Sequence, residues 1–239
     1  MKISNKLKNI SKVFVTAVAL SVALSACSKR ENPEPIAAAV LSVVNASPNT
    51  KDLDFIIGNQ RLNVDAFKFG TKLDYVPLYP GIVRIGITER GKQIFLLQKD
   101  EIYRSGSYYT TFLVDTGANR SFLTVVDKLD SPATDTKAKI RFLNLSPDAP
   151  ALSLSLTGAT TNLFTNKAYK SFTSFIDVEP GESVSFDLKD GATVKATLAA
   201  GKLEKGKFYT IYAKGYKGKL DTDPLKFGAN IFVAKSSSL

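Results

Sequence analysis

The sequence contains no histidine and no tryptophan, and it has a single cysteine and a single methionine among 239 residues. Without histidine, the chain cannot form a Ser-His-Asp or Cys-His catalytic relay, nor a histidine-ligated zinc or haem site. A lone cysteine cannot form an intramolecular disulfide. Carboxylates are the groups that remain for acid–base catalysis, and no cofactor is predicted.

The first 26 residues have the composition of an export signal. They include four lysines and no acid, and an apolar run of 12 residues follows at 13–24. That run is too short to cross a bilayer, which takes about 20 apolar residues. A basic start, a short apolar stretch and small residues before a cleavage point define a signal peptide. Residues 1–26 are therefore predicted to be removed.

The end of this segment carries the only cysteine of the chain. Leu24-Ser25-Ala26-Cys27 resembles the lipobox of bacterial lipoproteins. The resemblance implies cleavage between Ala26 and Cys27, a diacylglyceryl group on the thiol and acylation of the new amine. Stable anchoring takes at least two signals, at about 0.8 kcal/mol per buried CH₂, and three acyl chains exceed that. We expect a lipid-anchored envelope protein on the outer membrane, facing the periplasm or the surface; the alternative is a secreted protein whose cysteine is incidental.

Cleavage would also reduce the positive charge of the chain. The formal net charge of +10 would fall to +6, because four lysines and no acid are lost. No helix-turn-helix, RNP motif or glycine-rich phosphate loop is present, so no nucleic-acid partner is predicted. Residues 27–38 include Pro33 and Pro35 and are expected to form an extended lipidated tether, at about 3.1 Å per residue.

The rest of the chain repeats itself after about 100 residues, which indicates two copies of one structural unit. Three pairs of segments match at offsets of 99 or 100: 44–48 with 143–147, 75–81 with 175–181, and 103–110 with 203–210.

The periodicity within each copy is typical of β-strands. Val184, Phe186 and Leu188 alternate with polar residues, for example, and a period of two indicates half-buried strands. About seven short strands in about 100 residues favour an immunoglobulin-like sandwich. The prediction is an all-β chain with two tandem immunoglobulin-like β-sandwich domains, 39–130 and 138–239, joined by a linker at 131–137.

Two arrangements of the domains remain open at this point. The chain bends about the linker, or the last strand of the first copy, near residues 121–126, packs directly on the second copy.

One mismatch between the copies concerns register. Val83, Ile85 and Ile87 form the apolar set of one strand in the first copy, but an offset of 100 leads to polar residues in the second. A slip of one residue moves every side chain of a strand to the other face. The mismatch predicts a β-bulge or a compensating one-residue shift in this region.

A second spacing suggests roles for two tyrosines. Leu203, Gly206 and Tyr209 have the spacing of the tyrosine corner of fibronectin-like sandwiches, and the first copy keeps Gly106 and Tyr109. In such corners the phenol bonds to nearby backbone. Tyr109 and Tyr209 are predicted to be structural.

Three motifs together resemble a known family. Residues 144–151, the Glu-Pro-Gly turn at 179–181 and the segment 203–213 are similar to the bacterial domain of unknown function 4397. The resemblance covers most of the second copy and, less well, the first. It implies an exported protein or lipoprotein, often with tandem domains, and it implies no particular activity.

The acids do not form a predicted catalytic site. Three close pairs exist, and local structure accounts for each: Asp52 and Asp54 lie next to a Ser-Pro turn, Asp190 of the pair Asp187–Asp190 lies in a hairpin turn, and Asp221 and Asp223 lie in an expected loop. No acid is expected inside an apolar run, where burial would raise its pKa for acid catalysis. The protein is therefore predicted not to be an enzyme. No segment has the EF-hand pattern and no metal site is predicted, although calcium at Asp130 and Asp135 stays open.

Aromatic residues leave room for a binding function. Tyr75 and Tyr79 lie near turns, and if they line one sheet they form a possible ligand face; cross-strand packing is the competing interpretation. The leading prediction is a non-catalytic surface spacer, adhesion or protein-binding module. The alternative is a carbohydrate-binding component for glycan capture at the outer membrane. Its partners would be the membrane, through the N-terminal lipid, and an unidentified protein or glycan.

Overall fold

The computed structural model describes residues 36–129 and 136–235. Cys27, the predicted cleavage site and Asp130 and Asp135 lie outside the described residues. Within them the chain forms β-strands and one 3-10 turn, Gly117–Asn119. In this part of the chain there is no helix of the length and apolar character that crossing a membrane would require.

The first copy contributes eight strands. In chain order they are β1 (Ala39–Asn45), β2 (Leu53–Ile57), β3 (Gln60–Arg61), β4 (Lys72–Leu78), β5 (Gly81–Glu89), β6 (Phe95–Tyr103), β7 (Tyr108–Val114) and β8 (Ser121–Asp127).

The second copy contributes eight more. They are β9 (Ala138–Asn144), β10 (Leu152–Leu156), β11 (Phe164–Lys167), β12 (Ile176–Val178), β13 (Gly181–Asp190), β14 (Thr193–Leu203), β15 (Phe208–Lys214) and β16 (Gly228–Lys235).

These strands form four sheets of four strands each. Sheet 1 has the order β4-β1-β7-β8 and sheet 2 the order β3-β2-β5-β6; sheet 3 has the order β12-β9-β15-β16 and sheet 4 the order β11-β10-β13-β14. Sheets 1 and 2 enclose one apolar core and sheets 3 and 4 another. The prediction of an all-β chain with two sandwich-like units is confirmed.

The two copies share their topology strand by strand. β1 lies parallel to β7 with Val40 opposite Tyr108, and β9 lies parallel to β15 with Lys139 opposite Phe208. The equivalent positions therefore differ by 99 in β1 and β9 and by 100 in β7 and β15, the two offsets seen in the sequence.

The central strands of sheets 1 and 3 are buried on both faces. One face of each sheet lines its own sandwich core, and the other contributes to a third apolar cluster shared by the two copies. Of the two arrangements, direct packing is therefore the one observed. The buried members of this cluster are Val44, Ala46, Phe112, Val114, Val125, Leu143, Leu145 and Tyr212.

The contacts between the copies have approximate two-fold symmetry. The rings of Phe112 and Tyr212, which are equivalent positions, lie edge to face with centroids 6.0 Å apart. The hydroxyls of Thr116 and Tyr216, which also differ by 100, are 3.3 Å apart. A residue meets its own equivalent only near a two-fold axis, so the copies pack as the subunits of a symmetric dimer do.

The register mismatch is explained by a bulge in the second copy. β5 pairs with β6 without interruption as far as Ile87. In β13, Gly181 lies opposite Leu203 and Val184 opposite Gly201, so three residues advance on β13 against two on β14. The extra residue shifts the following side chains by one position and returns the apolar set to the core.

Candidate functional site at the junction of the two sandwiches

A buried ion pair joins the two copies. Asp127 ends β8 and Arg141 lies in the middle of β9, and their Oδ1 and Nη2 atoms are 2.5 Å apart. The side chains are 0% and 1% exposed. Removing either partner would leave an uncompensated charge between the sheets.

Hydrogen bonds complete the environment of this pair. The hydroxyls of Tyr75 and Thr110 donate to Asp127 Oδ2 at 2.6 and 2.7 Å. Arg141 donates from Nε to the Thr210 hydroxyl at 2.9 Å. Burial, together with the nearby Asp127 charge, raises the pKa of Tyr75. The phenol therefore remains a proton donor to the carboxylate.

Matching aromatic pairs flank the ion pair in both copies. Tyr75 meets Tyr108 edge to face at 5.7 Å, and the equivalent Phe175 meets Phe208 at 5.0 Å. In the second copy the Arg141 guanidinium lies over the Phe175 ring, 4.8 Å from its centroid. The first copy thus supplies a hydroxyl for the carboxylate, and the second supplies a ring face for the guanidinium.

A groove opens beside the ion pair. Its volume is about 490 Å³, within the range of small-ligand sites. Phe172, which is 51% exposed, and the half-exposed Val126 give it an apolar wall. The lining residues are Thr124, Val125, Val126, Lys128, Lys139, Arg141, Phe172, Thr173, Ser174, Phe175 and Phe208.

The charged groups of the groove are mostly cationic. Two of its three cations are already neutralised, because Lys139 pairs with Asp177 at 2.6 Å and Arg141 pairs with Asp127. The described residues that line it include no carboxylate. The groove therefore presents aromatic and cationic side chains to a ligand.

The structure separates the two tyrosines of the predicted ligand face. Tyr75 lies inside β4 and its hydroxyl is bonded to buried Asp127. Tyr79 follows the strand and is 94% exposed. Tyr79 is therefore exposed to solvent, whereas Tyr75 is half-buried and its hydroxyl is engaged at the junction.

Tyr109 and Tyr209 occupy equivalent positions at strand connections. The Tyr109 hydroxyl accepts a hydrogen bond from the backbone N–H of Arg104 at 2.9 Å, and the Tyr209 hydroxyl accepts one from Glu204 at 2.8 Å. Both rings are buried. Each phenol holds the turn that precedes its own strand.

Three acids are buried, including Asp54 inside the apolar strand β2, where no acid was expected. The other two are Asp127 and Asp187. Asp54 accepts hydrogen bonds from the Asn63 amide and from the backbone N–H of Gly91. Asp54 lies within β2, beyond the turn that the sequence suggested, whereas Asp187 lies within β13 at a polar position of its alternating pattern.

These buried acids have structural partners. Asp187 accepts hydrogen bonds from the hydroxyls of Thr157 and Thr197 at 3.1 and 2.7 Å. In the described part of the chain, no group of three or more acidic or cysteine side chains is placed to hold a metal ion.

The sequence analysis missed Arg141 and Asp127. Alternation marks a strand with one buried face, whereas β7 and β15 are buried on both faces and show no period of two. A run such as Tyr108–Val114, with only aromatic, aliphatic and threonine side chains, is the signal of such a strand. Applied to both copies, it would have predicted that sheets 1 and 3 face each other.

Comparison with known proteins finds one family whose model matches part of the chain. The family described as Domain of unknown function (DUF4397) matches residues 39–155. The match covers the first sandwich and continues through β9 into β10, although the motifs that suggested the family lie mainly in the second copy. No curated protein matches the chain.

Proposed function

We propose that the chain, which matches the DUF4397 family over residues 39–155, is a non-catalytic lipoprotein of the bacterial envelope. It would be anchored in the outer membrane through Cys27 and serve as a surface spacer, adhesion or protein-binding module. The observation that carries this proposal is the position of the only cysteine, directly after Leu24-Ser25-Ala26 at the end of the export-type segment. A thiol there is where an acyl anchor would be attached.

The packing of the two sandwiches supports a spacer. A shared apolar cluster and a buried ion pair join the copies, so they would move as one piece. A tandem array that keeps its geometry holds a binding surface at a fixed distance and angle from its anchor.

The absence of catalysis is supported by how the junction uses its charges. Asp127 and Arg141 bind each other, and the carboxylate also receives two hydroxyl donors. A catalytic acid or base needs a free proton site facing a substrate. This carboxylate has no such site.

Labelling and fractionation of cells test the anchor. We expect the wild-type protein to incorporate labelled palmitate and to sediment with outer membranes. The Cys27→Ser variant should carry no label, and Ser25→Thr serves as a control that keeps the thiol. Proteolysis of intact cells then reports which side of the membrane the sandwiches face. A wild-type protein that is soluble and unlabelled would rule out the proposal.

The groove at the junction favours a second candidate function, capture of a glycan. It has the volume of a ligand site and a half-exposed Phe172 ring on which a sugar could stack. A glycan array with wild type, Phe172→Ala and Tyr79→Ala tests this. Loss of binding in Phe172→Ala alone would place the ligand in the groove, loss in Tyr79→Ala alone would place it at the tyrosine, and no binding by wild type would exclude capture.

A further inference from the structure

Three large apolar side chains are exposed at one end of the first sandwich. Tyr79, Ile82 and Ile102 are 94%, 74% and 66% exposed. Ile82 lies directly opposite Ile102 in the β5–β6 ladder, on the face of sheet 2 that points away from the core. Tyr79 lies beside the turn that leads into β5. We call these three residues the apolar pole.

The second copy shows that the fold does not require apolar residues here. At the equivalent positions it has Glu179, Glu182 and Lys202. Glu182 and Lys202 form an exposed ion pair at 2.9 Å where the first copy has its two isoleucines. One backbone therefore accepts charged side chains at these positions in the second copy and exposes apolar ones in the first.

Another exposed apolar site behaves differently. Ile94, in the β5–β6 connection, is also exposed, but its equivalent in the second copy is the apolar Val194. An apolar residue that recurs in both copies is explained by the shared fold. The positions of the apolar pole hold apolar residues in the first copy and charged residues in the second. The reason for their apolar character is therefore specific to the first copy.

The chain enters the first sandwich at this pole. The Ser105 hydroxyl donates to the carbonyl of Ala37 at 2.7 Å, and the N–H of Gly106 donates to the carbonyl of Ala38 at 3.1 Å. Both donors follow closely after Ile102 in the chain. Residue 37 is ten residues from Cys27, and ten residues span at most about 35 Å.

We propose that the apolar pole rests on the lipid bilayer that holds the anchor. This inference depends on the proposed function, because it requires an acyl chain on Cys27. Tyrosine and isoleucine suit the boundary between headgroups and acyl chains. Exposed Arg104 at the same end adds a positive charge that anionic headgroups attract, whereas the second copy has Glu204 there. Anchor and pole together would fix the first sandwich against the membrane.

Tryptophan fluorescence tests the contact, since the chain has no tryptophan of its own. The full chain with Ile102→Trp is purified from membranes and reconstituted in vesicles of phosphatidylethanolamine and phosphatidylglycerol, with or without brominated acyl chains. Lys202→Trp is the matched control at the equivalent position. We expect a blue-shifted emission and several-fold stronger quenching by brominated lipid for Ile102→Trp than for Lys202→Trp. Tyr79→Trp provides a second reporter.

A transplant of the charged pair provides the reverse test. In a Tyr79→Trp background, Ile82→Glu with Ile102→Lys reproduces the pair that the second copy tolerates. The reporter should lose its blue shift and its quenching while thermal unfolding stays close to that of the parent.

Intact mass separates the two proposals. If the protein is acylated and vesicle-bound but Ile102→Trp and Lys202→Trp are quenched equally, the pole does not touch lipid and the anchored-lipoprotein proposal stands. If the protein carries no lipid, both proposals fail.

Discussion

The junction between the copies is nearly symmetric except for one ion pair, which Asp127 of the first copy forms with Arg141 of the second. Apolar side chains such as Phe112 and Tyr212 would pack against their own equivalents in any pairing of two copies. Arg141 is replaced by Ser42 at the equivalent position of the first copy. Two first copies would therefore leave Asp127 buried without a cation. The ion pair therefore favours packing of the first copy on the second, because a pairing of two first copies would bury a charge without a partner.

Breaking the ion pair between Asp127 and Arg141 should destabilise the folded protein. Arg141→Ala leaves the Asp127 carboxylate buried without a countercharge, and we expect the free energy of unfolding to fall by about 3–5 kcal/mol. Chemical denaturation of the purified protein measures the change. The matched control is Arg84→Ala, which removes an exposed bidentate pair with Asp100 and should change stability little. Equal effects of the two variants would contradict a special role for the buried pair.

Tyr212 predicts an alkaline limit to stability. Burial raises the pKa of its phenol to about 12 from the ordinary 10.0, so folding favours the protonated form. The stability linked to this proton is complete below pH 10 and is lost as the pH rises through 12.

We therefore expect the free energy of unfolding to fall between pH 10 and 12, and to fall less steeply in Tyr212→Phe. Some dependence should remain, because burial also raises the pKa of Tyr103 to about 12. A comparison at pH 8 isolates the loss of the hydrogen bond to Asn230. Identical pH profiles for both proteins would refute the assignment.

Sequence reasoning at the residue scale failed where a partner lies far away along the chain. Tyr75 looked like a surface residue because it lies close to a turn, yet its hydroxyl donates to Asp127, 52 residues later. A side chain that spans the face of a sheet to reach another strand leaves no local pattern. Only the packing of sheets 1 and 3 determines that this tyrosine faces a buried carboxylate.

At the scale of the strands and their connections, the turn before β7 and the turn before β15 are each held by the hydroxyl group of one tyrosine. Tyr209→Phe removes the acceptor for the Glu204 N–H, and we expect a loss of about 0.5–1.5 kcal/mol in the free energy of unfolding. Tyr109→Phe should behave alike, because Tyr109 binds Arg104 in the same way. Tyr79→Phe, a change on a fully exposed ring, is the control and should have no effect. A neutral result at both corner positions would show that the turns hold without the phenols.

Strands with one exposed face were predictable, and those with two buried faces were not. The alternation of Val184, Phe186 and Leu188 predicted β13. It also revealed the one-residue shift in register relative to β5, the equivalent strand of the first copy. For β7 and β15, burial on both faces erases the period of two that the prediction relied on. The fold class therefore followed from the sequence, and the face that joins the sandwiches did not.

At the scale of the whole molecule, the repeat behaves as a dimer within one chain. Equivalent residues meet near an approximate two-fold axis, as in isologous interfaces. Separate chains covering residues 37–129 and 136–239 should therefore form a one-to-one complex when they are expressed together. The apolar face of each would otherwise be exposed to water.

The ion pair should make that complex selective. Arg141→Ser, which copies the first repeat, should increase self-association of the second half at the expense of the mixed complex. Multi-angle light scattering and co-purification measure both species. Halves that fold and remain separate monomers would contradict a junction held by its own contacts.

The proposed function requires a lipid anchor on Cys27, and intact mass spectrometry of the native protein extracted from cells tests that anchor most directly. The account predicts a chain that begins at Cys27 and carries the mass of a diacylglyceryl group and an additional acyl chain. A protein that retains residues 1–26, or that has an unmodified thiol at residue 27, would contradict it.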